Sequence, residues 1–260
     1  MRSVLVHTDS SPAGTVRIET ALSLARAVGG HVTLLVDTPI GRYVAVDAMG
    51  GGTVAAAAMK EAIAQDDAFA RELDARVARG DVPCDVLRAE AEPVDAVSEA
   101  ARLADVVIVA RREALAGDLP LATRAPVLAV NDDAPLCFPL ARAALAWDGS
   151  SEAAYALRCA IPLLAGCGDV TVLTVEDAPD GFPATEAVTY LSRQGIRAEL
   201  QVLQRAGAIE QMLARGVAQI EPELLVMGAF KHSRLREFLF GGVTRHFLDE
   251  PTGPALLLAH

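Results

Sequence analysis

At 260 residues the chain is long enough for one large domain or two small ones. Its 34 acidic against 23 basic residues give a formal net charge of −11, which opposes broad binding to nucleic acid, because that affinity rests mainly on neutralising phosphates. Hydrophobic residues make up 52%, yet no window approaches the roughly 18 consecutive apolar residues of a membrane span. The opening "MRSVLVHTDSSP" also lacks the apolar core and cleavage site of a signal peptide. A cytoplasmic protein with neither a membrane nor a nucleic-acid partner is expected.

In chain order, Val4 to His7 reads as a short apolar strand ending at Asp9, followed by serines and an alanine-rich helix. "VTLLV" is the next strand. "PIGRYVAVDAMGGG" reads as a glycine-rich loop in which only Arg42 and Tyr43 offer ligand chemistry, and it leads into a long helix from about Thr53 to Arg79. "VLRAEA" and "VVIVA" are strands separated by a helical pattern, and "APVLAV" (Ala125 to Val130) closes this series. Polar residues and two prolines in "NDDAPLCFP" (Asn131 to Pro139) mark a linker. Beyond it the same order returns: "ALAWD", a helix in which Pro162 is expected to produce a kink, "VTVLTV", "VLQ", "ELLVM", and finally "GPALLLAH". Cys84, Cys137, Cys159 and Cys167 show no C-x-x-C pair and no histidine at metal-ligand spacing, so they read as small buried thiols.

The chain is a tandem duplication: Val4 to Thr38 lies over Ala144 to Asp177, and Val86 to Ala110 over Val202 to Ala229. Nearly continuous apolar strands alternating with helices suit parallel sheets buried on both faces. Two doubly wound α/β domains with mainly parallel sheets are therefore expected, at residues 1–135 and 138–260. In such sheets ligands sit outside the carboxyl ends of the strands, where Asp9, Asp148 and the turn after Gly228 all fall. The copies differ in one region. Gly228 and Pro254 are 26 positions apart, whereas Ala110 and Pro126 are 16 apart. The first copy is thus ten residues shorter here and keeps neither the early glycine nor the glycine pair of "KHSRLREFLFGG", so only the second half retains whatever that segment does.

These residues resemble the universal stress protein family in its tandem form. The resemblance covers almost the whole chain: an aspartate after the first strand of each half, "ELLVMGA" as fourth strand, "HSRLREFLFGGVTRHFL" as the following loop and helix, and "PALLLAH" as closing strand. Nucleotide-binding members carry G-x-x-G, nine residues, then Gly followed by Ser or Thr. Gly228 fills the first position and Gly241 the third, whereas Lys231 and Gly242 stand at the second and fourth. The resemblance implies a stress-response binding module that holds an adenine nucleotide, ATP or AMP, in its second half, with magnesium arriving alongside ATP. Asp148 would contact adenine or ribose, the backbone at Val175 would border the base, and Gly228, Lys231, Gly241, Gly242 and Val243 would surround the phosphates. A lysine at the second position blocks close backbone approach but offers a charge-assisted bond instead. Family members dimerise through the closing strand, so Val127 to Val130 and Ala255 to Leu258 are expected to meet antiparallel as an intrachain pseudo-dimer, with a homodimer as a further option.

Plainer readings compete. Asp148 suits a turn or N-cap, Gly241 and Gly242 suit close helix–sheet packing, and Lys231, Arg234 and Arg236 suit a solvated face. Asp9 reads as structural and His7 as a packed core residue, while His232 could touch a ligand; neither histidine has a nucleophile at a recognisable spacing. The alternative function is a nucleotide-free scaffold whose site has decayed. An ATP-using enzyme is the least favoured, since no acid–base pair accompanies the glycines.

Overall fold

In the computed structural model, which describes residues 1–41, 52–176, 182–229, 242–250 and 252–260, ten strands form one continuous sheet. The strands are β1 (Ser3–His7), β2 (His31–Asp37), β3 (Cys84–Ala89), β4 (Val106–Ala110), β5 (Val127–Val130), β6 (Arg142–Trp147), β7 (Asp169–Val175), β8 (Ala198–Leu203), β9 (Leu224–Gly228) and β10 (Ala255–Ala259). Their order is β3-β2-β1-β4-β5-β10-β9-β6-β7-β8, so each half is a parallel five-stranded array with the same order of crossovers. The halves join where β5 and β10 pair antiparallel, Leu257 opposite Leu128. This is the junction expected of the two closing strands. It also sends the carboxyl ends of the two parallel arrays to opposite edges of the sheet.

The described helices are α1 (Pro12–Val28), α2 (Gly52–Val77), α3 (Pro93–Ala100), α4 (Ala114–Ala122), α5 (Ser151–Leu164), α6 (Ala184–Arg193), α7 (Ile209–Ile220) and α8 (Gly242–Asp249). Because side chains alternate along a strand, the sheet feeds two cores. Val4, Val6, Leu128, Leu145 and Leu257 pack with α1, α2, α5 and α6 on one face. On the other, Leu5, Val107, Leu225 and Leu256 pack with α3, α4, α7 and α8. Strands covered on both sides have no wet face to encode, which is why β4 and β10 are apolar throughout and buried at every position.

Two expectations gain detail in the structure and one changes. The region of the polar linker is fastened down: Thr20 and Ser23 of α1 accept the backbone N–H groups of Leu136 and Phe138, each at 2.9 Å. Pro162 lies inside α5, which runs on to Leu164. None of the four cysteines is fully buried, and Cys137 is exposed; burial pushes the thiols of Cys84, Cys159 and Cys167 up from their ordinary value. The glycine-rich loop with Arg42 and Tyr43 lies outside the described residues. Among the described residues no helix is long and apolar enough to cross a membrane.

Candidate functional site

In the second half, three neighbouring strands deliver the site. Trp147 of β6 pairs with Thr174 of β7, so Asp148 and Val175 leave their strands at one level. On the other side of β6, Leu145 pairs with Val226, which brings Gly228 to the level of Trp147. Asp148 holds a tight turn: its Oδ1 accepts the Ser150 N–H at 2.9 Å and the Ser150 hydroxyl at 2.5 Å. Gly149 follows with φ 73, the left-handed region that glycine enters without strain. Ser150 in turn caps α5 by accepting the Ala153 N–H at 3.1 Å. Asp148 is thus the turn residue that the plainer reading anticipated. The turn fixes the orientation of this carboxylate at the end of β6.

Gly228 has a packing reason of its own. A Cβ added there would stand 2.6 Å from the Ala153 nitrogen and 2.7 Å from the Glu152 carbonyl carbon, inside the first turn of α5. Gly242 is the converse. It is exposed, and among the described residues a Cβ built on it would meet nothing within 4 Å, so packing against these residues does not explain that glycine. Val243 is partly buried against the core containing Leu213 and Phe247, leaving its backbone rather than its side chain for any ligand. Val175 is likewise partly buried against that core. Lys231 and Gly241, with His232, Arg234 and Arg236, lie outside the described residues.

At the equivalent place in the first half an arginine stands beside the aspartate. Asp9 matches Asp148 at an offset of 139, and at that offset buried Ala156 stands where the first half has Arg17. The Arg17 side chain is 0% exposed; its Nε donates to the His7 carbonyl at 2.8 Å, one terminal nitrogen pairs with Asp9 at 2.8 Å, and the other approaches Glu113 at 3.7 Å. His7 is buried as expected, but in a polar setting, with Nε2 at 2.5 Å from the Asp37 carboxylate. Burial acts to raise the Asp9 carboxyl, but hydrogen bonds from Ser11 and the charge of Arg17 outweigh it and hold the group below its ordinary value. Sequence reading missed Arg17, although a signal existed: it interrupts the stripe Gly14, Ile18, Ala21, Leu24, Ala25 that α1 buries.

Arg111 was missed too. Only 2% exposed, it leaves β4 and reaches into the second half, where it donates to the Phe247 carbonyl at 2.5 Å in the last turn of α8 and to Asn131 Oδ1 at 3.0 Å. Asn131 in turn donates to the Gly253 carbonyl at 2.8 Å. A cation at that end complements the carbonyls a helix leaves unpaired. Among the described residues no group of His, Cys, Asp and Glu is arranged to hold a metal ion.

With this geometry in place, residues 141–258 match the model of the Universal stress protein family. No curated protein matches the sequence. Among solved structures, a universal stress protein from Archaeoglobus fulgidus is 14% identical over 98% of this chain and 97% of its own, with a TM-score of 0.66. A Pseudomonas aeruginosa chain provisionally named a universal stress protein is 15% identical over 100% of this chain and 93% of its own, with a TM-score of 0.65. A universal stress protein solved in complex with cAMP matches 46% of this chain at 17% identity with a TM-score of 0.37, too partial a likeness to carry its ligand across. The second half of the chain therefore belongs to the universal stress protein family, and both halves together carry the two-domain fold of universal stress proteins.

Proposed function

We propose that this chain is a stress-response binding module whose units, residues 1–135 and 138–260, have diverged so that only the second takes an adenine nucleotide. The observation that carries this reading is the contrast between the two crevices. Arg17 and Glu113 occupy the first, whereas at the second the residue matching Arg17 is Ala156, which supplies no internal cation. Asp148 and Val175 flank the position of a base or ribose. Gly242, exposed at the start of the described part of α8, lies on the side proposed for the phosphates. Lys231 and Gly241 complete the phosphate side by their place in the sequence. Magnesium would enter with ATP rather than through a protein cage, as its preference for phosphate and water allows.

A scaffold that binds no nucleotide is the second reading. It draws on Gly228, whose lack of a side chain is explained by packing against Ala153. A thermal-shift titration with ATP, ADP, AMP and cyclic AMP separates the two, since a ligand at 100 times its Kd stabilises by about 2.7 kcal/mol. Lys231→Gly then reports on the lysine. If the ammonium holds a phosphate, this variant binds ATP more weakly and with less salt dependence than the parent. Tight ATP binding gained only in the variant makes lysine a plug and promotes the scaffold.

A further inference from the structure

We propose that the ring of Phe182 is a stacking platform for the planar base of the ligand. Phe182 is 59% exposed and is the one aromatic among the exposed large apolar side chains of the described residues. It is also held in place. The buried indole of Trp147 donates from Nε1 to the Phe182 carbonyl at 2.9 Å, and the Phe182 N–H donates to the Gly149 carbonyl at 3.4 Å. Its ring centroid stands 6.5 Å from that of Trp147, tilted by 54°. The contacts join the ring's backbone to the residues on either side of Asp148. Here the main chain is fixed at two points while the side chain stays exposed, beside the turn that Asp148 holds.

The inference rests on the nucleotide reading above and narrows it: recognition of the base runs through a π-face, so planar bases are favoured over a bare phosphate chain. Stacking on an aromatic is worth a factor of about 5 to 150 in affinity per base, and it tolerates base identity because every base has a face.

The test compares the full chain with Phe182→Ala, Phe182→Leu and Phe182→Tyr by calorimetric titration with ATP and with tripolyphosphate. Phe182→Ala and Phe182→Leu are expected to weaken ATP about 5- to 150-fold and to leave tripolyphosphate unchanged, while Phe182→Tyr keeps the parent's ATP affinity. Emission from Trp147, the single tryptophan, is expected to shift when ATP binds. Equal ATP affinity in the parent and in Phe182→Ala overturns the platform and leaves the nucleotide reading standing. An equal loss for ATP and tripolyphosphate overturns it as well, because the ring would then act through the fold. A parent that binds no ATP overturns both.

Discussion

Leu257 is the position at which the union of the two halves can be measured. It is 0% exposed, lies in β10 between Leu128 of the first half and Val226 of the second, and belongs to the core that runs under both. Truncation to alanine in a site of this kind costs about 2–5 kcal/mol, part lost transfer energy and part residual cavity. The entropy of unfolding, about 2.1 cal/mol/K per residue, comes to about 0.55 kcal/mol/K for 260 residues, so a loss near 3 kcal/mol lowers the midpoint by about 5 °C. Leu257→Lys is expected to cost more, because an ammonium in that strand is either desolvated or forced neutral. Leu103→Ala, at a side chain 90% exposed, should stay within about 1 °C. Scanning calorimetry also resolves cooperativity. If β5 and β10 weld the halves into one unit, Leu257→Ala shifts a single transition. A variant that melts within a degree of the parent, or a thermogram in which one of two transitions stays put, would refute the weld.

Two further outcomes follow from the buried charges. Arg111→Met leaves the Phe247 carbonyl and the Asn131 amide oxygen without their donor, and about 1–3 kcal/mol for each acceptor left unpaired should appear as a lower urea midpoint; a change under 0.5 kcal/mol would show that water replaces the guanidinium. The Asp9 carboxyl is held below its ordinary value of 3.8, so its contribution is fully present above that pH and is lost as pH falls through the lower folded-state value. The stability gap between the parent and Asp9→Asn, followed by urea denaturation, should therefore be constant near neutrality and close below pH 3.8; a gap that stays open in acid would place the effect elsewhere.

How much of this was legible in the sequence depended on the range over which each cause acts. Continuous apolar runs such as "VVIVA" are dictated by burial on two faces, a property each strand carries by itself, so strand identity and the shared strand order of the two halves could be read directly. The junction of β5 and β10 was legible for a related reason, since an apolar edge needs a partner. Gly228 and Arg111, and the reach of Arg17 beyond its local partners His7 and Asp9, were not legible, because each depends on a residue far along the chain. Gly228 faces the first turn of α5, Arg17 faces Glu113, and Arg111 faces Phe247.

The same distance in sequence conceals the deepest difference between the halves. Three residues beyond the end of β4 stands Glu113, and three beyond the end of β9 stands Lys231. The charge is reversed at one topological position. In the first half the acid answers an internal cation, Arg17, delivered by the helix at its own switch point. In the second half the helix position that would answer is Ala156, with no charge to offer. On the proposed reading, the lysine that the sequence places there answers an anion from outside, the phosphate of the nucleotide, which an ammonium binds as a point charge.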